Sequence, residues 1–218
     1  MKPITWLAPA DPPARFPPVA QALHEPQGLL AASGDLAPAR LQEAYRRGIF
    51  PWYSPGEPIL WWSPDPREVL FPGEMHVSRS LRRTLRRALF QVTENRAFAT
   101  VVASCATARG TAGGTWITPE MQAAYCQLHG LGVAHSIEVW SGGELAGGLY
   151  GVLSGRVFSG ESMFSRRSDA SKVALAWLAT QAPGRGIALI DCQMPSAHLR
   201  SLGSRPLPRR KFLEYLAA

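Results

Sequence analysis

The chain is poor in cysteine and contains no long apolar run. Its three cysteines, Cys105, Cys126 and Cys192, are too widely spaced for a zinc knuckle or a disulfide framework, so we expect reduced thiols. No apolar stretch approaches the roughly 18 residues that span a membrane, and none near the N-terminus is long enough for a signal peptide. These absences predict a cytoplasmic protein that makes no contact with a membrane.

Motifs for nucleotide phosphates and for metal ions are also missing. No segment matches a Walker loop, and the spacing of the histidines and cysteines fits no metal site. We therefore expect no metal and no cofactor. Chemistry without ATP or metal points to a substrate that arrives already activated.

Lysine is scarce, because only Lys2, Lys172 and Lys211 occur among 23 basic residues. Against 16 acidic residues the net charge is +7, and arginine carries nearly all of the positive charge. The forked donors of arginine suit phosphate groups, which favours a nucleic-acid or phosphorylated partner. A bias in genomic base composition would produce the same excess.

The residue patterns predict an α+β protein. A composition of 46% hydrophobic and 18% charged residues is typical of a globular chain with a buried core. Helices are predicted at 37–47, 78–90, 119–129 and 169–181, and strands at 136–140, 149–153, 156–158 and 188–193. The larger part of the chain is therefore expected to be mixed α/β around a central, largely antiparallel sheet.

The N-terminal part has a different character. Residues 1–35 are rich in proline and alanine and are expected to form an irregular lead-in, followed by the helix at 37–47. Residues 50–66 mix aromatics with prolines, which predicts neither a long helix nor a central strand. We predict a small N-terminal α/β domain, residues 1–66, followed by a larger domain, residues 67–218.

The predicted helix at 78–90 carries one face of arginine. At 100° per residue its leucines fall on one arc, and the opposite arc carries Arg79, Arg82, Arg83, Arg86 and Arg87. A solvated face usually interleaves acids with bases, so uncompensated positive charge favours an anionic partner. Contact with a nucleic-acid backbone is then the simplest expectation, and an ordinary solvated face is the alternative.

The predicted strand at 188–193 presents two polar side chains. A period of two places Asp191 and Gln193 on one face and sends Ile190, Cys192 and Met194 to the other. Cys192 would then face the core, which argues against a cysteine nucleophile. Asp191 and Gln193 indicate either an active site or a buried pair that satisfies backbone groups.

Two partial motifs are set aside. Gly160-Glu-Ser162 begins like a nucleophile elbow, but Phe164 replaces the second glycine and no strand-turn-helix is predicted there. Residues 181–186 fit the Q/R-x-x-G-x-G loop that binds coenzyme A. That loop must open a helix, whereas here it follows one, so we interpret it as a helix end.

Nine longer segments form an ordered series along the chain. They are Glu25–Leu30, Gly34–Leu36, Ala44–Trp52, Trp61–Arg67, Gly114–Thr118, His135–Trp140, Gly160–Ser165, Ile190–Gln193 and Pro208–Arg210. This series resembles the leucyl/phenylalanyl-tRNA–protein transferase family over about residues 16–216. The resemblance implies a GNAT-like C-terminal domain without the coenzyme A loop. It also implies transfer of leucine or phenylalanine from tRNA to proteins that begin with Arg or Lys, which marks them for degradation.

The resemblance also assigns site residues. An apolar pocket for the aminoacyl side chain is implied at Leu149, Phe158, Met163, Leu175, Leu178 and Ile190. Trp52 and Trp116 lie where relatives hold the terminal adenosine, and the arginine face is expected to bind the tRNA. Relatives often have Asn in place of Ser196 and an aromatic in place of Leu178. Leucyl, phenylalanyl and, less readily, methionyl groups are the expected donors.

Asp191, Gln193 and Glu161 are implied at the reacting amine. We expect the carbonyl oxygen of Gln193 to position the α-amine and Glu161 to attract a basic N-terminal residue. Asp191 is expected to orient the Gln193 amide and to stabilise the developing positive charge.

The chemistry itself needs little help from a strong base. An aminoacyl ester is already activated, and an α-amine of pKa about 7.7–8.0 is partly neutral at pH 7, so positioning should supply most of the acceleration. A coenzyme A-dependent N-acetyltransferase and a non-catalytic RNA-binding module are the alternatives.

Overall fold

The computed structural model describes residues 4–109 and 115–217, so Gly114 of the fifth segment lies outside the described residues. The described helices are α1 Pro38–Arg46, α2 Arg79–Arg86, α3 Phe98–Arg109, α4 Pro119–Gly130, α5 Ala170–Gln181, α6 Ala197–Ser201 and α7 Arg209–Leu216. The described strands are β1 Thr5–Leu7, β2 Leu29–Ser33, β3 Phe50–Pro51, β4 Leu60–Trp62, β5 Arg67–Leu70, β6 Gln91–Glu94, β7 Ala134–Ser141, β8 Glu144–Ser154, β9 Val157–Ser165, β10 Leu189–Gln193 and β11 Arg205–Leu207.

The strands form two sheets. The smaller sheet has the order β1-β2-β4-β3, and the larger has the order β11-β5-β10-β9-β8-β7-β6. Within the larger sheet β10 runs parallel to β9, and the other pairs are antiparallel. The predicted fold class, with its central and largely antiparallel sheet, is confirmed.

The predicted meander at the centre is also confirmed, and its turns follow from the sequence. Gly142 and Gly143 connect β7 to β8, and both have positive φ, as a two-residue hairpin with the favoured twist requires. The next turn places Gly155 so that a Cβ atom would lie 2.6 Å from the carbonyl oxygen of Leu216. Two short turns therefore fix the register of three long strands.

The arginine helix is shorter than predicted. Ser78 caps α2 by accepting a hydrogen bond from Leu81 N at 3.2 Å, but the helix ends at Arg86 rather than at residue 90. Ala88 adopts a left-handed backbone (φ 47°), which stops further winding. Of the predicted apolar arc only Leu81 is buried, and Leu85 and Leu89 are exposed.

Two predictions for the N-terminal part are wrong. The lead-in contains β1 and β2, which pair in parallel, and β4 lies inside the small sheet between β2 and β3. The five residues between Pro58 and Pro64 contain no proline, and three of them form that inner strand. Strands of three to five residues carry too little periodicity to be recognised from the pattern.

One hydrophobic cluster connects the N-terminal part with the larger sheet. It joins Leu41 of α1 and Trp61 of β4 to Val101 of α3, Tyr125 of α4 and Tyr150 of β8. A second cluster packs α5 against β8, β9 and β10. None of the described helices is both long and apolar enough to cross a membrane.

Candidate active site

A cavity of about 430 Å³ opens beside β9 and β10, a size typical of a pocket for a small ligand. All six residues predicted for the aminoacyl pocket line it: Leu149, Phe158, Met163, Leu175, Leu178 and Ile190. Trp52 and Trp116 line it as well, and so do Glu161, Asp191 and Gln193. The structure thus brings eleven predicted site residues to one apolar cavity with polar groups at one side.

Two β-bulges shape the polar side of this cavity. Ser162 pairs with Tyr150 and Gly160 with Gly151, which leaves Glu161 as the extra residue of β9. A Cβ atom on Gly151 would lie 2.2 Å from the Ser159 carbonyl oxygen, so only glycine fits opposite this bulge. The bulge turns the Glu161 side chain out of the regular alternation.

The neighbouring strand β10 bulges at the same level. Asp191 pairs with Val69 and Gln193 with Glu68, so Cys192 is the extra residue. Gln193 has φ 62°, an uncommon conformation for a non-glycine residue. Its backbone N–H donates to Asp191 Oδ1 at 2.8 Å, which holds the turn in place.

Asp191 is fully buried and forms an ion pair with Arg67 of β5. Arg67 Nε donates to Oδ1 at 2.8 Å and Nη2 donates to Oδ2 at 2.7 Å. The Ser159 hydroxyl also donates, to Oδ2 at 3.2 Å. The guanidinium carbon of Arg67 also lies over the rings of Phe50 and Phe212, at 4.6 and 4.7 Å from their centroids. The bidentate ion pair and the two aromatic contacts of Arg67 together hold the Asp191 carboxylate in place at the cavity.

Glu161 is buried and sits in a chain of hydrogen bonds. The Tyr125 hydroxyl donates to its Oε2 at 2.8 Å, and Gln193 Nε2 donates to its Oε1 at 2.7 Å. The Tyr45 hydroxyl lies 2.6 Å from that of Tyr125. Burial raises the pKa of the Glu161 carboxyl to about 7, while the two tyrosine hydroxyls and Arg67 act in the opposite direction. Glu161 therefore changes charge close to neutral pH.

These contacts correct one part of the expected arrangement. The amide of Gln193 is oriented by Glu161, whereas Asp191 accepts from the backbone N–H of Gln193. The reason is the bulge at Cys192, because a flat strand would have placed Asp191 and Gln193 side by side. The period of two, which predicted both side chains on one face of the strand, therefore applies only as far as Asp191.

Cys192 is half-buried: it packs against the second hydrophobic cluster and, because of the bulge, also lines the cavity. Burial, together with Asp191 and Glu68, raises the pKa of its thiol far above the usual value. A thiol that stays protonated is a poor nucleophile. No group of three His, Cys, Asp or Glu side chains that could hold a metal ion occurs in the described part of the chain.

The arginine face of α2 is exposed. All five arginines, Arg79, Arg82, Arg83, Arg86 and Arg87, lie at the surface. Among residues 4–109 and 115–217 none of the five forms an ion pair with a carboxylate. Thr84 of the same helix donates to Asp169 at 3.0 Å, just before α5, whose Leu175 and Leu178 line the cavity. The positive face is thereby anchored to a helix of the cavity wall.

Both motifs set aside above lie in unsuitable positions. Gly160–Ser162 is inside strand β9, where no strand-to-helix turn exists. Residues 183–185 form one 3-10 turn after α5, and Gly186 then leads toward β10. No helix N-terminus is available at residues 181–186 to hold a pyrophosphate.

Sequence reasoning missed Arg67, Tyr125 and Tyr45. Arg67 ends one of the nine segments, directly after Pro66, but no local pattern connects it to Asp191, 124 residues away. Tyr125 and Tyr45 each have the spacing of a helix core residue. No local pattern marks Arg67, because the burial of all four residues of β5 is visible only in the structure.

Comparison with known families decides the relationship. The family model described as leucyl/phenylalanyl-tRNA protein transferase matches residues 69–217, and that of its N-terminal domain matches residues 34–65. The chain belongs to the leucyl/phenylalanyl-tRNA–protein transferase family. The predicted family is confirmed.

Two relatives with the name leucyl/phenylalanyl-tRNA–protein transferase show how close the match is. The protein of Stutzerimonas stutzeri (strain A1501) is 58% identical over 214 residues, which cover 98% of this chain and 94% of the relative. That of Aromatoleum aromaticum is 60% identical over 214 residues, which cover 98% of this chain and 89% of the relative. The likeness therefore includes every residue range that forms the cavity.

Among solved structures, a GCN5-related N-acetyltransferase from Kribbella flavida matches with a TM-score of 0.39 and 13% identity. The match covers 74% of this chain and 58% of that protein. This likeness is partial, and the fold class rests on the strand order described above.

Proposed function

We propose that this transferase moves leucine or phenylalanine, and methionine less readily, from aminoacyl-tRNA to the α-amine of proteins that begin with Arg or Lys. The product would carry a degradation signal, and the reaction would take place in the cytoplasm. One observation supports this most directly: a single apolar cavity that has two tryptophans and a buried carboxylate-amide pair in its lining.

The donor side of the reaction fits the apolar part of the cavity. Five of its six predicted pocket residues are buried, and Met163 is half-buried and adaptable in shape. Leucyl, phenylalanyl and methionyl side chains have no branch at Cβ, so they can enter without crowding the reacting carbonyl. Isoleucyl and valyl groups carry that branch and fit less well.

The tRNA side follows from two features. The indole rings of Trp52 and Trp116 offer stacking surfaces for the terminal adenosine, and Trp52 is 42% exposed. The exposed arginines of α2 lack acidic partners among the described residues and suit phosphates of the acceptor stem. The two tryptophans line the cavity themselves, and α2 packs against α5, which forms part of the cavity wall.

The acceptor side follows from Gln193 and its neighbours. The Gln193 carbonyl oxygen would accept a hydrogen bond from the α-amine and direct its lone pair at the ester carbonyl. Glu161 supplies negative charge for a basic N-terminal residue, and Asp191 with Arg67 fixes the backbone of Gln193. Because the ester is already activated, positioning accounts for most of the expected rate gain.

A transfer assay tests the proposal. The purified chain is incubated with radiolabelled Leu-tRNA and a peptide that begins with Arg, and the product is examined by N-terminal sequencing. We expect one leucine before the arginine, and none on the matched peptide whose α-amine is acetylated. Absence of transfer while tRNA binds would favour an RNA-binding module, and acetylation of the peptide on addition of acetyl-coenzyme A would favour an acetyltransferase.

A further inference from the structure

Four side chains from four elements form one continuous chain of hydrogen bonds. Tyr45 of α1 meets Tyr125 of α4 at 2.6 Å, Tyr125 meets Glu161 of β9 at 2.8 Å, and Glu161 meets Gln193 of β10 at 2.7 Å. Both tyrosines are buried and neither lines the cavity. Neither tyrosine has a role in the proposed reaction itself.

The charge of Glu161 decides how the Gln193 amide is turned. An ionised carboxylate only accepts hydrogen bonds, so the amide must point its NH₂ at Glu161 and leave its oxygen for another donor. Among the described residues no group donates to that oxygen. The amide oxygen is therefore available to an incoming amine.

A protonated Glu161 would reverse this arrangement. While Tyr125 occupies Oε2, an added proton goes to Oε1, the oxygen that faces Gln193. The carboxylic acid would then donate to the amide oxygen, and the amide would present its NH₂ to the cavity. The amide could then only donate to the lone pair of the incoming amine, and that lone pair would no longer be free to attack the ester carbonyl.

We propose that Tyr125, supported by Tyr45, is a positioning residue for the transfer reaction. Its hydroxyl keeps Glu161 ionised, and ionised Glu161 keeps the oxygen of Gln193 turned toward the attacking amine. This inference rests on the proposed function. In the reaction the neutral amine forms the new C–N bond, the ester C–O bond to the tRNA ribose breaks, and one amine proton ends on the ribose oxygen. The tyrosines exchange no atoms with the substrates.

The titration of Glu161 depends on a defined set of neighbours. The groups that face it or its tyrosine partners are Tyr45 of α1, Tyr125 of α4, Tyr150 of β8, Arg67 of β5 and Asp191 of β10. Burial and Asp191 raise the pKa of Glu161, whereas the hydroxyls of Tyr45 and Tyr125 and the charge of Arg67 lower it. Removal of the Tyr125 hydroxyl should therefore raise the pKa of Glu161 above its value of about 7.

The test is the pH dependence of single-turnover transfer from Leu-tRNA to an Arg-starting peptide. The proteins compared are wild type, Tyr125→Phe, Tyr45→Phe and the control Tyr215→Phe, which removes a hydroxyl beside Phe71, away from the cavity. For Tyr125→Phe the acidic limb should move up by about one pH unit, the effect of losing one hydrogen bond to an ionised group. Transfer on the acidic limb should fall roughly tenfold, while the alkaline plateau stays at the wild-type level.

The remaining comparisons complete the test. Tyr45→Phe should move the limb in the same direction, because the Tyr45 hydroxyl also lowers the pKa of Glu161, and Tyr215→Phe should leave it in place. The acceptor amine titrates equally in all four proteins, so it does not contribute to the differences. If the acidic limb of the pH profile of Tyr125→Phe stays at the wild-type pH, the inference is wrong, whatever the transfer rate on the alkaline plateau.

Infrared spectroscopy measures the same titration without turnover. One carboxylic acid band should appear in wild type as the pH falls and be missing in Glu161→Gln. This band reports the protonation of Glu161. Its midpoint should rise in both Tyr125→Phe and Tyr45→Phe. If Tyr125→Phe does not fold, an unchanged midpoint in Tyr45→Phe overturns the inference. If wild type shows no transfer at any pH, the proposed function is wrong as well. If wild type transfers normally but the midpoints in the tyrosine variants do not move, this inference alone is wrong.

Discussion

Arg67 and Asp191 face each other through hydrogen bonds of 2.8 and 2.7 Å, where their side chains are only 2% and 0% exposed. A buried pair of this kind stabilises little relative to a pair of apolar residues, but the loss of one partner is costly. Because the pair lies at the cavity, we interpret its two charges as holding the backbone of the site in position. They fix the bulge from which Gln193 projects.

A double-mutant cycle tests this coupling. Arg67→Met and Asp191→Asn should each lower the free energy of unfolding by about 3–5 kcal/mol, because each leaves one charge buried and unpaired. The double variant should lose clearly less than the sum of the two. Urea denaturation measures all three proteins. The exposed pair Lys211 and Glu214 is the control and should cost about 0–1 kcal/mol, and additive costs at Arg67 and Asp191 would refute the coupling.

Glu161 should make folding stability depend on pH. Burial raises its pKa from 4.5 to about 7, so between these values the folded chain holds more protons than the unfolded chain. The stability that this group contributes is therefore greatest below pH 4.5 and falls as the pH rises to about 7. Glu161→Gln removes this dependence. Relative to wild type, the variant should gain on the order of 3 kcal/mol across that range.

The measurement is the difference in unfolding free energy between wild type and Glu161→Gln at each pH. The control is Glu214→Gln, whose side chain is largely exposed. A difference that stays constant with pH would show that Glu161 has an ordinary pKa in the folded chain.

The donor pocket should discriminate by shape. Wild type should use Ile-tRNA and Val-tRNA with kcat/KM about 10–200-fold below that for Leu-tRNA, the limit for packing alone. Leu178→Ala should enlarge the pocket and raise the preference for Phe-tRNA over Leu-tRNA, with a stability loss of about 2–5 kcal/mol. Leu202→Ala is the matched control, because Leu202 is buried in the same cluster but does not line the cavity. Equal preferences in the two variants would argue against the pocket assignment.

The arginine face of α2 should bind tRNA through phosphates. Replacing Arg82, Arg83 and Arg86 with Ala should weaken binding and reduce the salt dependence of log K by about 3, close to one unit for each lost contact. Binding of an aminoacyl-adenosine analogue in the cavity should stay unchanged. A matched control replaces Arg15, Arg46 and Arg205, which are exposed but paired with acids. If both triple variants bind alike across salt concentrations, the α2 face is an ordinary solvated surface.

Local pattern predicted the elements that carry a strong local signal. The meander β7-β8-β9 follows from apolar strands separated by Gly-Gly and Gly-Arg turns, and α4 from the Thr118 cap and Pro119. Helix α3 gave no such signal, because its exposed positions are filled by alanine and threonine, as at Ala99, Thr100 and Ala103, and not by charged residues. The division at residue 66 stays a prediction.

The site was predictable only in part. Ser196 shows why a departure from the usual residue can be harmless, since it caps α6 through Leu199 N at 3.1 Å, as Asn would. The contacts that set the chemistry join residues far apart in sequence, such as Tyr45 with Tyr125 and Glu161 with Gln193. Periodicity reports on neighbours within one element, so it contains no information about these pairs.

The two aromatic rings that contact Arg67 come from parts of the chain that are far apart in sequence. Phe50 belongs to β3 in the N-terminal part, and Phe212 belongs to the last helix, α7. During synthesis the early residues of the cavity leave the ribosome long before Phe212 exists. The arginine that pairs with Asp191 gains its second aromatic contact only when α7 has emerged and docked, so the nascent chain completes its site as one of the last events of folding.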